Sequence, residues 1–386
     1  MTGRPVDSLR VVESLSGVDP GEWNALAEAC GADAGGVPFV RHEFLDALIE
    51  SGCATRRTGW LPRILLLYRA GALAGAMPLF LKSHSYGEYV FDWAWADAYG
   101  RHGLDYYPKL ACAVPFTPVR GPRILASGQR ERRALLAAAL DLAKESSSLH
   151  VLFPLEEEAR LMQEHGMLLR RTVQFHWRND GYPDFEAFLA RLSHARRKTI
   201  RQERRRVAQA GIACRWLRGA QITRAHWEFF HRCYRNTYAE HRSTPYLNLD
   251  FFLRLGTGMP EHTLLVLAER DSRPLAASFF LADRRALYGR YWGAVEHVPL
   301  LHFECCYYQA IEFAIAHGLR AFEGGAQGEH KLWRGLLPVE TLSAHWLAHP
   351  RFARAIEDFL EREGSDIANY VNELREHVPF KSAQGG

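Results

Sequence analysis

Cysteine is sparse and scattered: there are seven in the chain, and no two stand in a C-x-x-C pair. An odd count at wide spacing argues against a disulfide framework, and the missing pairs argue against a zinc ribbon. Such thiols fit a reducing, cytoplasmic setting. Long apolar runs are missing too. Stretches such as Ile64–Leu67 and Val151–Phe153 fall far short of the roughly 18 residues that suggest a membrane span. The first residues, Met-Thr-Gly-Arg-Pro-Val-Asp, hold no apolar segment, so no secretory signal is expected. Charge of one sign is weak. A net value of +4 does not by itself point to nucleic acid. What remains is an ordinary globular composition, 47% hydrophobic and 24% charged, over 386 residues. That length suggests two or three domains with ample core.

Against this background one stretch stands out, Glu323-Gly-Gly-Ala-Gln-Gly-Glu-His-Lys331, followed by Leu-Trp-Arg-Gly-Leu-Leu-Pro338. Three glycines sit among two carboxylates, an amide, an imidazole and a lysine, and an arginine with a fourth glycine follows. Glycine lets the backbone approach a ligand closely or take positive φ. Acid, base and cation in one turn are the parts of a proton-transfer and anion-handling site. The competing reading is a tight turn stapled by salt bridges.

The chain shows a degenerate duplication. Arg63–Leu81 and Leu264–Leu281 each read as strand, turn, strand, the second turn holding Asp271-Ser272. In the first half a helix at Leu135–Lys144 follows, then strands at Leu149–Phe153 and Thr172–Trp177. In the second half a helix at Cys306–His317 is closed by Gly318, then strands at Leu319–Phe322 and Thr341–Trp346 follow. The order predicts two similar α/β (α+β) domains, 8–180 and 181–380, with mixed, mostly antiparallel sheets flanked by helices.

Two further segments carry chemistry. Residues 186–211 read as a basic helical arm, helix-forming throughout and rich in arginine. Arg197, Arg201, Arg204 and Arg205 share a face, with Lys198 beside them. The arm is either a solvated amphipathic helix or an anion-binding element for phosphates of a nucleotide, coenzyme or tRNA. The long segment Lys82–Ser127 interleaves aromatics with Asp, Lys and Arg. Trp93, Asp97, Tyr107, Lys109, Phe116 and Thr117 suit a cleft that wraps an organic substrate. The alternative is a packed loop that uses aromatics as core.

Several blocks in order, among them Tyr106-Tyr-Pro-Lys-Leu, Pro115-Phe-Thr-Pro, Phe175-His-Trp-Arg-Asn-Asp-Gly-Tyr182, Leu192-Ser-His-Ala-Arg-Arg-Lys-Thr-Ile200, Tyr291-Trp-Gly, Leu301-His-Phe-Glu-Cys-Cys-Tyr-Tyr-Gln309 and Gly325-Ala-Gln-Gly-Glu-His-Lys331, resemble the FemAB-like group of N-acyltransferases linked to peptidoglycan biosynthesis and recognition. The resemblance runs from about residue 10 to 380. It implies two tandem GNAT-like domains and transfer of an acyl or aminoacyl group to an amine, with acyl-CoA or aminoacyl-tRNA as donor. It also implies a possible tRNA contact through the basic arm and a small-molecule or peptide amine as acceptor. The Gln/Arg-x-x-Gly-x-Gly/Ala loop of CoA-binding GNAT enzymes has no counterpart in Val295–Glu304, which lacks glycine.

Amide formation needs a deprotonated amine, a polarised donor carbonyl and a protonated leaving group. Glu323, Glu329, His330, Glu304 or His302 could be the general base. Backbone N–H groups around Gly324–Gly328, including Gly325, Gln327 and Gly328, or at Tyr291-Trp292-Gly293, could hold the oxyanion. Tyr307 or Tyr308 could protonate the leaving group, and Lys331 and Arg334 could bind a carboxylate or phosphate. Glu296, His297, His302 and Glu304 have no spacing that puts metal ligands on one face, so no metal is expected. A non-catalytic module recognising a cell-envelope peptide or sugar through the aromatic segment is the alternative, and a hydrolase using Cys306 or His302 is a third.

Overall fold

The computed structural model describes residues 7–31, 35–326 and 328–381. The chain divides into two units. One comprises the residues through Thr172 together with Thr341–Ala368; the other comprises Val173–Glu340 and the residues from Asn369 on. Two consecutive halves, 8–180 and 181–380, do not describe this division. The segment Thr341–Ala368 returns to the first unit.

The first unit opens with β1 (Ser8–Val12), α1 (Pro20–Gly31), α2 (His42–Glu50) and β2 (Trp60–Pro62). The expected hairpin is present as β3 (Ile64–Arg69) and β4 (Ala72–Met77). Its two turn residues, Ala70 and Gly71, have φ of 50° and 87°, the doubly positive conformation that matches strand twist in two-residue hairpins. Then come β5 (Leu79–Lys82), α3 (Trp93–Arg101), β6 (Lys109–Cys112), β7 (Leu125–Ala126), α4 (Gln129–Ala143), β8 (Ser148–Leu152) and α5 (Glu156–Glu164). β1, β3, β4 and β7 form one sheet. β2, β5, β6 and β8 form another, which Ser343–Leu347 extends antiparallel to β8. β6 runs parallel to β8 and antiparallel to β5. Lys82–Ser127 is therefore not a loop inserted into the fold. Its Lys109–Cys112 segment is fully buried sheet, a four-residue run too short to stand out from its aromatic neighbours. Leu65, Met77, Leu135, Leu136, Leu149 and Met162 pack as the core, each contributing about 1.5–3 kcal/mol by burial.

The second unit takes β9 (Leu168–Arg178) from Val173 on, α6 (Phe185–Arg191), α7 (His194–Gln209), β10 (Ala213–Arg218), α8 (Arg224–Glu240), α9 (Leu249–Gly258), β11 (Thr263–Arg270), β12 (Arg273–Ala282) and β13 (Ala286–Ala294). The continuous arm helix expected over 186–211 is two helices. Leu192 takes extended backbone, bridges Phe380, and Ser193 N–H donates to the Pro379 carbonyl at 2.8 Å. A tertiary contact from the chain's end thus overrides a helix-forming sequence. Asp184, Thr223 and Asn248 cap α6, α8 and α9 through side-chain oxygens. The β11–β12 turn, Asp271-Ser272, repeats the doubly positive conformation with φ of 50° and 61°. After β13 come α10 (Leu301–Phe303), a π-helical turn (Glu304–Tyr308), α11 (Gln309–Ala316), β14 (Ala321–Ala326), a 3-10 turn (Glu329–Arg334), β15 (Leu337–Leu347) and α12 (Pro350–Glu376). The sheet order is β10-β11-β12-β13-β14-β9. All neighbours are antiparallel except β13 and β14.

That parallel pair positions the site. β13 and β14 are in register only over Ala286–Tyr288 and Ala321–Glu323, although both strands continue. Beyond Tyr288 they diverge and leave a wedge. Two irregularities sit beside it. β13 carries a bulge, with one extra residue, Arg290, opposite the Phe279–Phe280 step of β12, and the following helix contains the π turn. Both devices recur at functional sites because they redirect side chains without ending the element. Helix α8 covers the diverging strand at very close range. A Cβ on Gly293 would lie 1.9 Å from the Cys233 carbonyl oxygen, so only glycine fits there. Thr237 donates to the Trp292 carbonyl at 2.8 Å and Asn236 to the Ala294 carbonyl at 3.0 Å.

Candidate functional site

The wedge encloses about 110 Å³ and is lined by Ser278, Phe279, Phe280, Gly289, Arg290, Tyr291, Trp292, His302, Cys306, Tyr307, Phe322 and Gly324. Alternation along β14 gives Phe322 and Gly324 to the wedge and turns Glu323 to the other face. There the Glu323 carboxylate lies 3.9 Å from His176 Nδ1, and its Oε2 is buried with no hydrogen-bond partner among the described residues. The π turn presents Tyr307 to the wedge. His302 meets the Trp292 ring edge-on at 5.5 Å and the Tyr307 ring at 5.5 Å. Burial, with the nearby His330 and Arg334, pushes the His302 imidazole down to about 4, so it is neutral at pH 7.

The glycine-flanked turn meets the wedge at a hydrogen bond between Tyr307 Oη and His330 Nε2, 3.1 Å long. His330 is exposed on its outer side. Partial burial and the Arg334 and Lys331 charges lower its pKa, favouring a neutral imidazole, whose Nε2 accepts from Tyr307 in the Nδ1–H tautomer, while burial raises the pKa of Tyr307 and keeps its hydroxyl protonated. Gly328, at φ 106°, leads into this turn, and a Cβ there would stand 2.6 Å from His330 Cε1. Lys331 is buried, donates to the Gly325 carbonyl at 3.1 Å, and is pushed down to about 8 by burial. Gln327 lies outside the described residues.

Arg334 acts as a brace. It donates to the His330 carbonyl at 2.9 Å, lies 3.5 Å over the Phe303 ring, and pairs with Glu203 of α7 at 3.1 Å. Tyr308 also donates to Glu203. Tyr308 therefore faces α7, and Tyr307 is the tyrosine at the wedge. Glu304 is buried and engaged by Arg204 at 3.0 Å and Gln309 at 2.8 Å. Glu329 is exposed and accepts from Tyr370 at 2.9 Å. The structure thus brings His302, Trp292, Tyr307 and His330 together, with Lys331 and Arg334 behind them. Glu304, Glu329 and Tyr308 are each hydrogen-bonded elsewhere, and Glu323 lies on the other face of β14. Burial pushes the Cys306 thiol up to about 12, with Ser278 Oγ at 3.2 Å, the opposite of what a thiolate nucleophile requires. Arg290, Glu203 and Ser278 were not apparent as site residues from the sequence. Their signal was the alternation of β12 and β13 and the one glutamate in an arginine-rich helix face.

On α7, Arg204 turns inward to Glu304 and Glu312, and Arg201 pairs with Glu186. Arg197, Lys198 and Arg205 have no acidic partner among the described residues, and with His194, Arg201 and Gln202 they line an open recess.

In the first unit the aromatic segment splits. Trp93 is exposed, its ring 5.0 Å from that of Tyr86, and Asp97 forms an exposed pair with Arg101. Phe116 and Thr117 are buried, Phe116 against Trp60 at 5.4 Å. Lys109 is fully buried, bonded to Ser85 at 2.7 Å, Glu88 at 2.8 Å and Asp92. Tyr107 joins it through Ser85 at 2.8 Å. Lys109 is thus the centre of a buried charge cluster. Next to it, His150 and His345 meet Nδ1 to Nδ1 at 2.7 Å, each braced by a serine two residues earlier on its own strand, Ser148 and Ser343.

The chain matches the FemAB-like family, described as peptidoglycan biosynthesis/recognition, over residues 14–382. No curated protein sequence matches it. Among solved structures, FemX is similar at 12% identity, with 88% of this chain and 98% of that one covered and a TM-score of 0.53. L-PGS from Bacillus licheniformis is similar at 9% identity, with 89% and 97% covered and a TM-score of 0.55. A conserved protein of unknown function from Bacteroides thetaiotaomicron VPI-5482 gives 10% identity, 88% and 100% coverage, and a TM-score of 0.51. At these identities the likeness is one of fold. The fold is a mixed α/β arrangement of helices and mixed sheets in two units, as expected from the resemblance. No helix among the described residues is long and apolar enough to cross a membrane. No group of three His, Cys, Asp or Glu side chains among them could hold a metal ion.

Proposed function

This chain belongs to the FemAB-like family of peptidoglycan biosynthesis and recognition, and from that premise we propose that it is an N-acyltransferase joining an acyl or aminoacyl donor to an amine acceptor. The observation that carries the reading is the Tyr307–His330 hydrogen bond at the mouth of the wedge where β13 and β14 part. The amine nitrogen attacks the donor carbonyl carbon. A C–N bond forms, and the C–S bond of a thioester or the C–O bond of a tRNA ester breaks. The amine gives a proton to Tyr307 Oη as Tyr307 passes its own to neutral His330, whose outer side meets solvent. The leaving group takes up one proton. Backbone N–H groups along Gly289–Trp292 or at Gly324 would hold the oxyanion in a site walled by aromatics.

A donor bearing phosphates, acyl-CoA or aminoacyl-tRNA, is supported by the cations Arg197, Lys198 and Arg205, which line one recess and have no acidic partner among the described residues. The test is amide formation followed by mass spectrometry, with acyl-CoA and aminoacyl-tRNA donors and amine-bearing peptidoglycan precursors as acceptors. Ribonuclease sensitivity separates the donors. Transfer by the wild type that is undiminished in Tyr307→Phe and His330→Ala would remove the relay.

A second reading, a module that binds a cell-envelope sugar or peptide without catalysis, is favoured by Tyr86, Phe91 and Trp93, which are 58%, 54% and 42% exposed. It requires binding of glycan or peptide fragments that is lost in Trp93→Ala and kept in Tyr307→Phe.

A further inference from the structure

His302 and His330 stand beside the same tyrosine, and their surroundings divide them. The His330 ring lies 5.8 Å from that of Tyr307, bonds its hydroxyl at 3.1 Å and is exposed on its outer side. A proton that reaches it can leave to solvent. His302 meets the Tyr307 ring edge-on at 5.5 Å and lines the wedge. It makes no hydrogen bond among the described residues.

Histidines packed for structure in this chain are bonded. His42 meets the Leu15 carbonyl at 3.2 Å, His176 meets Gln174 at 3.2 Å, and His150 meets His345 at 2.7 Å. A ring placed for packing alone satisfies its polar atoms in this way. His302 is held by ring edges instead: Trp292 at 5.5 Å, Phe303 at 5.6 Å and Tyr307. These fix its plane and leave its nitrogens to what enters the wedge. The chain reaches His302 through Leu300 in the left-handed conformation, at φ 70°, which a bulky side chain adopts only where its surroundings impose it. Burial, with His330, Arg334 and Lys331 nearby, keeps the His302 imidazole neutral. So depressed a group holds a captured proton weakly and is a poor base near neutrality. A neutral imidazole still carries one N–H.

Resting on the reading of the wedge as the place of acyl transfer, we infer that His302 is a catalytic residue of that reaction and acts as a donor, not as the base: its ring N–H holds the oxygen of the donor carbonyl while the amine attacks. As the C–N bond forms, the carbonyl π pair moves onto that oxygen, and the hydrogen bond strengthens with its charge. When the bond to the leaving group breaks, the pair returns and the carbonyl re-forms. The proton is then still on His302. The amine proton departs by Tyr307 and His330. Two imidazoles on one tyrosine thus take two roles from two environments, one exposed and bonded, the other shielded and unbonded. Ring centres 5.5 Å apart put the polar atoms of His302 and Tyr307 within reach of one tetrahedral carbon and its substituents.

The test asks whether the N–H itself matters. His302→Phe keeps the ring contacts and deletes both nitrogens. His302→Asn and His302→Gln return an amide N–H near the Nδ1 and Nε2 positions. In the transfer assay His302→Phe should lower kcat by about 10²–10³-fold, the effect of one lost oxyanion donor, with KM nearly unchanged. One of the two amides should restore about tenfold of that loss. A second measurement needs no turnover. The probe is the ketone analogue of S-acetyl-N-acetylcysteamine, with a methylene in place of sulfur and an isotope label at the carbonyl. On binding to the full chain its carbonyl stretch should fall in frequency by infrared spectroscopy, and the NMR signals of the His302 ring nitrogens should shift. The frequency change should vanish in His302→Phe and return with the rescuing amide. The wild-type nitrogen signals decide the matter even if His302→Phe folds poorly: a bound ketone that leaves them unmoved overturns the inference. So does a carbonyl shift or a kcat that survives His302→Phe, or an equal loss in all three variants. Each of these leaves the wedge as the place of transfer. If the wild type neither transfers an acyl group nor binds the ketone, the acyl-transfer reading falls and takes the inference with it.

Discussion

Glu203 accepts two hydrogen bonds from Arg334, at 3.1 and 3.2 Å, and Arg334 donates in turn to the His330 carbonyl at 2.9 Å. The basic arm helix therefore reaches the candidate site by its one inward carboxylate. The consequence is electrostatic as well as mechanical. Arg334 lowers the pKa of His330, and Glu203 offsets part of that charge. Glu203→Gln should lower the His330 pKa further and loosen its ring, shifting the acid limb of the pH–rate profile to lower pH. It should also cost about 1.5–3 kcal/mol for charged hydrogen bonds lost. NMR titration of His330 beside urea denaturation measures both. A stability loss with an unmoved His330 titration would make Glu203 a purely structural residue.

Tyr307→Phe keeps the ring, its volume and its edge-on contact with His302, and deletes only the hydroxyl that meets His330 Nε2. Loss of a positioned proton-transfer group costs about 10²–10⁴-fold in rate. We expect kcat to fall by that order with KM nearly unchanged. Tyr308→Phe, which removes the hydroxyl bound to Glu203, should act mainly on stability. If the two variants affect kcat equally, Tyr307 has no special place in the relay.

Much of this was legible in the sequence. The hairpins over 63–81 and 264–281 are found, because alternating apolar runs around a two-residue turn leave few other options. The turn at 323–331 was visible as a cluster of unlike chemistries, and its His330 meets Tyr307 at the wedge that His302 and Trp292 also line. What the sequence hid was the direction in which adjacent residues point. Tyr307 and Tyr308 differ by one position, and a π turn, not readable from periodicity, decides which faces the wedge. Glu323 and Gly324 are divided in the same way by strand alternation. The Lys109 cluster was hidden because its partners Glu88 and Asp92 join it only when β6 is seated in the sheet.

Gly328 precedes the turn of the candidate site at φ 106°, where a Cβ would press on the His330 ring. Gly328→Ala should cost about 1–3 kcal/mol in backbone strain and push the His330 ring off Tyr307. Activity should fall by more than the loss of folded protein explains. Comparing thermal midpoints with specific activity tests this, and full specific activity in the folded variant would refute it.

Lys109 sits at 0% exposure between Glu88 and Asp92. Lys109→Met keeps most of the volume, leaves Asp92 without its cation and leaves Glu88 only its longer pair with Lys82 at 3.9 Å. Breaking such a pair from one side costs about 3–5 kcal/mol. Denaturant midpoints should show that loss. A change under about 1 kcal/mol, the range of exposed pairs, would mean that water reaches the cluster.

His150 and His345 face each other at 2.7 Å in the same buried region. Burial, then the Lys109 charge, pushes His150 down to about 3, and burial with His150 depresses His345 further below its ordinary value. Both are neutral in the folded protein, while in the unfolded chain they titrate near about 6.5. Below that pH the unfolded state binds more protons, so stability must fall as pH falls. Two imidazoles held neutral cost about 4 kcal/mol between pH 7 and pH 5, and the fall continues until the folded-state values are reached. His345→Asn should lower stability at pH 7.5, where its contacts are lost. It should also roughly halve this part of the slope on the acid side. Urea denaturation of both proteins between pH 5 and 7.5 gives the two slopes. Parallel curves would mean that water or a protonated neighbour already compensates the pair.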